Sequence, residues 1–272
     1  MINMHTHTIN SPDGFDTIDT ICQTAIARNL KGVAFTDHVS INNLEKYNTY
    51  ECIRKCKEET FIAKEKYNGK LKVLFGLEIS EAFLSYEKEQ FFVNIGGVDV
   101  VLCSLHSQTP TAHLGINGNF RLNDFTKFEY STIIEALKIY YKTLNEIAKN
   151  SDFDILAHLT YPLRYISCRD KVKIDINDIL EELTILLKTV VSKNKAIEIN
   201  TSMADQNFFM PDKPLITLFK SLGGKYVTIG SDAHKAENID KGILQALEIL
   251  KECDINEYYY YESRKPIAIK IK

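Results

Sequence analysis

Short apolar runs alternate along the chain with longer stretches in which apolar residues recur at helical spacing. The short runs have the length and composition of buried strands, and the longer stretches are typical of amphipathic helices. This alternation predicts an α/β fold with a parallel sheet. The seven predicted strands cover residues near 2–4 and residues 33–35, 71–77, 98–105, 154–157, 196–199 and 226–229.

Helical spacing predicts a helix in most of the connections between these strands. In the first connection, Asp16 is expected to cap a helix that buries residues from Ile18 to Leu30 and that ends at Gly32. The other predicted helices cover residues 50–67, 128–148, 176–191, 215–222 and 239–250.

Polar residues at the ends of the predicted strands carry the strongest functional signal. Parallel strands place their carboxyl ends on one face, and that face holds the active site of α/β barrels. Residues far apart in sequence are therefore expected to converge there. In chain order, the strand-end groups are His5 and His7, Asp37 and His38, Glu78, His106, His158, Glu198 and Asn200, and Asp232 and His234.

These side chains together predict a metal site. His5 and His7 are two residues apart, so a strand points both imidazoles to the same side. Asp232 and His234 have the same spacing. Any one such residue alone is more often an ordinary capped or half-buried side chain, but a core with so many ionisable groups would be strongly destabilised without cations. Eight or nine candidate ligands are enough for two or three ions, and imidazole with carboxylate suits zinc, iron or manganese.

Composition narrows the class of protein. The chain has 272 residues, of which 44% are hydrophobic and 25% charged, and this fits one globular domain spanning 1–272. A net charge of −3 provides no broad positive surface for a nucleic-acid backbone, although local positive charge could still bind a small anion. The six cysteines are scattered without CxxC spacing and are expected to be reduced, mostly buried thiols.

The sequence contains no signal-peptide core and no run of about 18 apolar residues, so we expect a cytoplasmic protein with no membrane partner. His113 lies in a polar stretch and is the one histidine predicted to be a surface residue.

The segments HTHTINSPDG, TDH, GLE, SLHS, AH, EINTS and GSDAH, in this order, resemble the PHP (polymerase and histidinol phosphatase) superfamily over nearly the whole chain. Within it, the length and the stretch from EINTS to GSDAHKAENI are most similar to histidinol-phosphate phosphatases. The resemblance implies a distorted, TIM-like seven-stranded (β/α)7 barrel with a trinuclear metal site.

The resemblance also implies a set of metal ligands in three groups. Asp13 belongs to this set, although several relatives have histidine at that position, and its alternative role is an Asx turn in SPDG. The implied groups are His5, His7, Glu78 and Asp232 for one ion, with Glu78 bridging to a second; His106 and His158 for the second; and Asp13, His38 and His234 for the third.

Arg164, in HLTYPLR, resembles the phosphate-contacting arginine of histidinol phosphatases. A guanidinium beyond a strand end could hold a phosphate by two parallel hydrogen bonds, and a solvated loop arginine is the alternative. Glu198 and Asn200 share a strand face and could support the ligands or contact a substrate amine.

The implied reaction is hydrolysis of a small phosphorylated metabolite, L-histidinol phosphate, to L-histidinol in histidine biosynthesis. A hydroxide bridging two ions would attack phosphorus, and the general acid is unassigned. The alternatives are another phosphate monoester, phosphotyrosine, a nucleic-acid phosphodiester, or a non-catalytic metal-binding scaffold. The net charge and the lack of a basic, aromatic-lined tract make nucleic acid the less favoured partner.

Overall fold

The computed structural model describes residues 1–271, and parallel strands that close into a barrel form its centre. The strands are β1 Ile2–Thr6, β2 Gly32–Phe35, β3 His38–Ser40, β4 Lys72–Ser80, β5 Val100–Ser104, β6 Ile155–Leu156, β7 Ala196–Asn200 and β8 Val227–Gly230. The order around the barrel is β1-β2-β4-β5-β6-β7-β8, and the short β3 continues the course of β2 along β4.

Backbone hydrogen bonds bring the two ends of the sheet together. The amide of Asp232 donates to the carbonyl of His5 at 2.9 Å, and the amide of His7 donates to the carbonyl of Ala233 at 2.9 Å. The segment after β8 therefore closes the barrel against β1, and the expectation of a distorted seven-stranded (β/α)7 barrel is confirmed.

Helices surround the strands and bury their apolar faces against them. The helices are α1 Ile18–Ala27, α2 Thr49–Lys66, α3 Tyr86–Val93, α4 Tyr130–Asn150, α5 Tyr161–Leu163, α6 Leu180–Ser192, α7 Lys213–Ser221 and α8 Ile243–Glu252. Each helix predicted from the sequence is present with shifted ends, and a π-helical turn, Arg164–Arg169, follows α5.

The predicted boundaries of the first helix are wrong. Thr17 is its N-cap and accepts a hydrogen bond from the amide of Thr20, whereas the Asp16 carboxylate accepts from the amide of Ala236. The helix ends at Ala27 because the chain turns there, with Asn29 at a φ of 60°. Gly32 does not end the helix: it begins β2.

A C-terminal hairpin, β9 Glu257–Glu262 and β10 Lys265–Lys270, was not predicted. It covers the amino ends of the barrel strands, where the hydroxyl of Tyr258 accepts from the amide of Ile2 at 3.3 Å. In its turn, Arg264 donates to the carboxylate of Asp154, which immediately precedes β6. The opposite face, at the carboxyl ends of the strands, is thereby left for the site.

The six cysteines are free thiols, and five of them are buried while Cys52 is half-buried. Between residues 1 and 271, no helix combines the length and apolar character that crossing a membrane requires.

Candidate metal centre

The nine predicted metal ligands converge at the carboxyl ends of the strands. Strand alternation directs the side chains of His5 in β1 and Glu78 in β4 into the barrel, and both residues are fully buried. The predicted ends of these two strands, near residues 4 and 77, are wrong: β1 continues to Thr6 and β4 to Ser80, so His5 and Glu78 lie within their strands. The other members begin β3 or lie in the loops on the same face: His7, Asp13, His38, His106, His158, Asp232 and His234.

The first group consists of His5, His7, Glu78 and Asp232. The Nε2 atoms of the two histidines are 3.1 Å apart. Each Nε2 lies 3.5–3.7 Å from Oε2 of Glu78 and 3.2–3.6 Å from Oδ1 of Asp232. Tetrahedral ligands at about 2.1 Å from one ion are about 3.4 Å from each other, so the two imidazoles have the spacing to share a cation with either carboxylate.

The second group shares Glu78 with the first. Its other carboxylate oxygen, Oε1, lies 2.8 Å from Nε2 of His158 and 3.1 Å from Nε2 of His106. The two imidazole nitrogens are 3.2 Å apart. Because the two oxygens of Glu78 face different pairs of histidines, this residue has the geometry of a bridging ligand.

The third group is more open. The Asp13 carboxylate lies 3.5 Å from Nε2 of His38 and 3.4 Å from Nε2 of His234. The amides of Gly14 and Phe15, which follow Asp13, donate to the carbonyls of Ser11 and His234 and not to its carboxylate, so the Asx-turn alternative is not observed. Asp13 is exposed on the rim, and its carboxylate faces the two imidazoles.

The boundaries between the groups are not sharp. Donor atoms of His38, Glu78 and His106 lie within 4.8 Å of one another, and so do those of His7, His38 and His234. The His7 ring stacks on the rings of both His38 and His234, at 4.1 and 4.2 Å between centroids. The structure therefore gives one continuous cluster of donor atoms.

The hydrogen bonding inside the cluster provides a test of whether the residues fit metal ions. Oε2 of Glu78 is fully buried and has no hydrogen-bond partner, although Nδ1 of His38 lies 2.7 Å away in an unfavourable orientation. Buried carboxylates are normally paired or bound to a cation. A divalent cation would be the partner that this carboxylate needs. A donor set made of imidazoles and carboxylates suits zinc, iron or manganese.

Charges within the cluster shift the pKa values of its members. Burial alone would lower the pKa of His5, but the carboxylates around it outweigh this effect and raise the pKa well above its ordinary value. Burial and the neighbouring imidazoles together hold the pKa of His7 well below its ordinary value. Burial would raise the pKa of Glu78, but the surrounding histidines lower it strongly. The Glu78 carboxylate is therefore ionised over the physiological range, which is the state that a metal ligand requires.

Buried polar groups lie behind the candidate ligands and form hydrogen bonds with them or with neighbouring residues. Oε1 of Glu198 lies 2.7 Å from Nδ1 of His5, and its Oε2 accepts from the backbone amide of His158 at 2.8 Å. Asn200 donates to the same carboxylate at 3.2 Å. These contacts agree with the first of the two roles considered for Glu198, which is to support the candidate ligands and not to contact a substrate amine. Asp37 is also buried beside the cluster. Its carboxylate accepts from the amide and the hydroxyl of Thr8, the residue after His7, both at 2.6 Å.

A cavity of roughly 690 Å³ opens above the cluster. Arg164 begins the π-helical turn and lines this cavity, with its Nη1 3.9 Å from Oδ2 of Asp232 and its side chain 30% exposed. Arg121 lines the cavity from the loop between β5 and α4. The net negative charge of the chain therefore coexists with positive charge at this cavity. His113, predicted to lie at the surface, is exposed in the same loop.

Sequence reasoning missed polar residues of the cavity wall, among them Glu81, Arg121 and Tyr161. Glu81 follows Glu78 by three residues, Arg121 lies in the loop before α4, and Tyr161 packs its ring 5.1 Å from both His106 and His158. Glu81 could have been found as the second acidic residue of the segment GLEISE, in which Glu78 is the first. The other two lie in short helical turns whose position the spacing of residues does not predict.

Fold and donor set together define a class: α/β barrels whose strand ends present a cluster of imidazoles and carboxylates able to hold metal ions. The comparison with protein families makes the class specific, because residues 3–202 match the PHP domain family. The chain belongs to this family. The matched range ends before β8, which pairs with β7 in the same barrel.

Curated relatives match the chain along nearly its full length. A "Probable histidinol-phosphatase" of Thermotoga maritima is 28% identical, with 100% of both chains covered. A protein of the same name from Clostridium acetobutylicum is 28% identical over 96% of each chain. The "Histidinol-phosphatase" of Lactococcus lactis subsp. lactis is 26% identical, covering 97% of this chain and 95% of its own.

Among solved structures, the histidinol phosphate phosphatase of Lactococcus lactis subsp. lactis, complexed with zinc, L-histidinol and phosphate, has a TM-score of 0.78. It is 24% identical, and 98% of each chain is covered. This likeness shows that the two chains share a fold.

Proposed function

We propose that this chain is a metal-dependent phosphatase that hydrolyses L-histidinol phosphate to L-histidinol and phosphate, a step of histidine biosynthesis. The observation that carries the proposal is the buried cluster of histidines and carboxylates, bridged by Glu78, beneath a cavity lined by Arg164. The names of the full-length curated relatives support histidinol phosphate as the substrate.

We infer that the cluster holds two or three divalent ions of zinc, iron or manganese. His5, His7, Asp232 and Glu78 would hold one, and Glu78 with His106 and His158 a second. Asp13, His38 and His234 would hold the third. Such ions, when bound, polarise phosphoryl oxygens and lower the pKa of water toward about 7. The zinc in the related structure from Lactococcus lactis supports this inference.

The residues of the chain bind and orient the substrate. Arg164 can donate two parallel hydrogen bonds to the phosphoryl oxygens, which fixes the phosphate above the cluster. Glu198 orients His5 through Nδ1 and leaves Nε2 directed at the cluster. The volume of the cavity lies within the range of about 300–1,000 Å³ typical of small-molecule sites, and it suits a metabolite.

The remaining phosphoryl substrates are competing hypotheses. Phosphotyrosine and other monoesters would contact the same arginine, so they must be compared directly. A nucleic-acid phosphodiester is disfavoured by the net charge of −3, because strand binding usually requires a positive groove.

The test is a kinetic panel on purified protein that has been stripped of metal and reloaded with manganese, zinc or iron. We expect kcat/KM for L-histidinol phosphate to exceed that for phosphotyrosine, other monoesters and single-stranded DNA by at least about tenfold. A wide margin in favour of any other substrate would contradict the assignment. Elemental analysis of the same samples gives the number of ions per chain.

A pair of histidine variants separates catalysis from folding. His106→Ala removes a ligand of the second group and should abolish turnover while the circular dichroism spectrum stays native. His113→Ala changes an exposed histidine outside the cluster and should leave turnover unchanged. Full activity of His106→Ala would mean that the cluster does not catalyse the reaction.

A further inference from the structure

We propose that Glu81 is a positioning residue that holds the loop carrying His106 against the end of β4, so that His106 meets the metal ions in a fixed orientation. The inference rests on the proposed function, because it assigns His106 to the metal site. Glu81 itself makes no contact with the donor atoms of the cluster.

The contacts of the Glu81 carboxylate are directed at consecutive backbone groups. Its Oε1 accepts from the amide of His106 at 2.8 Å and from the amide of Ser107 at 2.8 Å. Its Oε2 accepts from the hydroxyl of Ser80 at 2.6 Å. Hydrogen bonds from backbone amides to a carboxylate are roughly twice as strong as those between neutral groups.

The position of these amides explains why they need an acceptor from elsewhere. The regular pairing of β5 ends at Ser104, so the amides of residues 106 and 107 lie beyond the sheet. Backbone amides left without a partner in a partly buried loop are destabilising. The side chain of Glu81, the residue directly after β4, therefore replaces the missing strand hydrogen bonds.

The backbone of Glu81 has a conformation that residues other than glycine rarely adopt. Its φ of 56° and ψ of 33° are in the left-handed region, which disfavours non-glycine residues by about 1–2 kcal/mol. The residue is nonetheless 1% exposed, and its carboxylate oxygens have three donors. The left-handed turn directs the side chain back toward the His106 loop instead of out along the strand.

The consequence of this arrangement reaches the cluster through His106. Nε2 of His106 lies 3.1 Å from Oε1 of Glu78 and 3.2 Å from Nε2 of His158. A ligand on an irregular loop keeps such distances only if the loop is held. Glu81 and Glu78 belong to the same segment, so one stretch of chain provides a bridging ligand and fixes the position of a second.

The experiment compares Glu81→Ala and Glu81→Gln in the full chain. Alanine removes all three hydrogen bonds, whereas glutamine retains a neutral acceptor. We expect the amides of residues 106 and 107 in Glu81→Ala to exchange with solvent at least about tenfold faster. Manganese affinity should fall about tenfold to a hundredfold, and kcat should fall more than KM changes. Glu81→Gln should give intermediate values.

The matched control is Glu89→Ala. Glu89 is also 1% exposed, and its carboxyl group also accepts a backbone hydrogen bond, from the amide of Asp152 at 3.1 Å. It lies on α3, away from the cluster. Its loss can change global stability, yet exchange at residues 106 and 107 and manganese affinity should remain within about twofold of wild type.

Each outcome decides the proposal. Unchanged exchange at residues 106 and 107 in both Glu81 variants would overturn it, and so would wild-type manganese affinity in Glu81→Ala. If Glu81→Ala does not fold, the exchange rates and affinity of Glu81→Gln decide in the same way. A wild-type protein inactive on every phosphate ester would overturn the proposed function instead, while exchange and manganese affinity would still decide the role of Glu81.

Discussion

Replacing Gly230 with alanine should disturb the cluster of donor atoms although Gly230 is not itself a member of the cluster. Gly230 ends β8, and a Cβ added there would lie 2.0 Å from Oε1 of Glu198 and 2.5 Å from Cβ of His5. Both distances are far below van der Waals contact. The carboxylate of Glu198 must therefore move, although it holds Nδ1 of His5 and the amide of His158.

The size of the effect follows from the competing contributions. Alanine would gain about 0.5–1 kcal/mol over glycine from the reduced entropy of the unfolded chain. Overpacking in a closed core costs about 1–3 kcal/mol, and the displaced hydrogen bonds to a buried carboxylate add about 1.5–3 kcal/mol. The net change is a loss of about 2–5 kcal/mol in the free energy of unfolding. Loss of the group that orients His5 should also weaken metal binding about tenfold to a hundredfold.

The assay measures the two effects separately. Urea unfolding with a chelator gives the stability of the metal-free chain, and competition with a coloured chelator gives the metal affinity. Gly32→Ala is the matched control, because its Cβ would lie 2.9 Å from the carbonyl oxygen of Lys72 at the amino ends of the strands. It should lower stability and leave metal affinity unchanged. Gly230→Ala with wild-type metal affinity would refute the role assigned to Glu198.

Three further predictions concern the cavity, a buried acid and the hairpin. Arg164→Ala should lower kcat/KM for histidinol phosphate about tenfold to a hundredfold, and Arg164→Lys should restore only part of it, because an ammonium cannot donate the same pair of hydrogen bonds. Burial raises the pKa of Glu89 from 4.5 to about 7, so the folded chain keeps a proton that the unfolded chain has released. The contribution of Glu89 to stability should therefore fall as pH rises from about 4.5 to 7, and in urea unfolding Glu89→Gln should lose about 2 kcal/mol less than wild type across that range. Arg264→Ala leaves the buried carboxylate of Asp154 without its guanidinium and should lower the free energy of unfolding by about 2–4 kcal/mol, with less than additive loss in the double variant Arg264→Ala/Asp154→Asn.

The barrel and the members of the cluster could be predicted because both depend on simple periodicities. Apolar runs of strand length recur between helical stretches, and each run carries histidine or carboxylate near its carboxyl end. Parallel topology then brings these ends together without further information. The grouping of the donors could not be predicted in the same way, because it depends on which ring nitrogen of His38 and which oxygen of Glu78 face each neighbour.

The elements that were missed lack such a signal. In α3, the segment YEKEQFFV has its apolar residues at one end instead of at helical spacing. The hairpin strands are rich in tyrosine and lysine, and their partner is the bottom of a barrel assembled from distant segments. Glu81 reaches the amides of the loop after β5 from a left-handed backbone turn, and a sequence pattern carries no information about that turn.

Strained backbone at the strand ends bears on whether metals shape the cluster or fill a site that the protein has already formed. His158 and Asp232 have φ values of 27° and 53°, in a region that costs non-glycine residues of order 1–3 kcal/mol each. Protein groups hold both: the amide of His158 donates to Glu198 at 2.8 Å, and the amide of Asp232 donates to the carbonyl of His5 at 2.9 Å.

Because these constraints do not involve an ion, the metal-free chain should keep its fold. Ions that bind only the folded chain at a hundredfold excess over their Kd add about 2.7 kcal/mol each. For a chain of this size, we expect chelation to lower the Tm by about 5–10 °C for each ion lost while the far-ultraviolet circular dichroism spectrum below the transition stays native. Collapse of that spectrum on chelation would mean that the ions, and not Glu198 and the closure of the barrel at His5, hold the strand ends together.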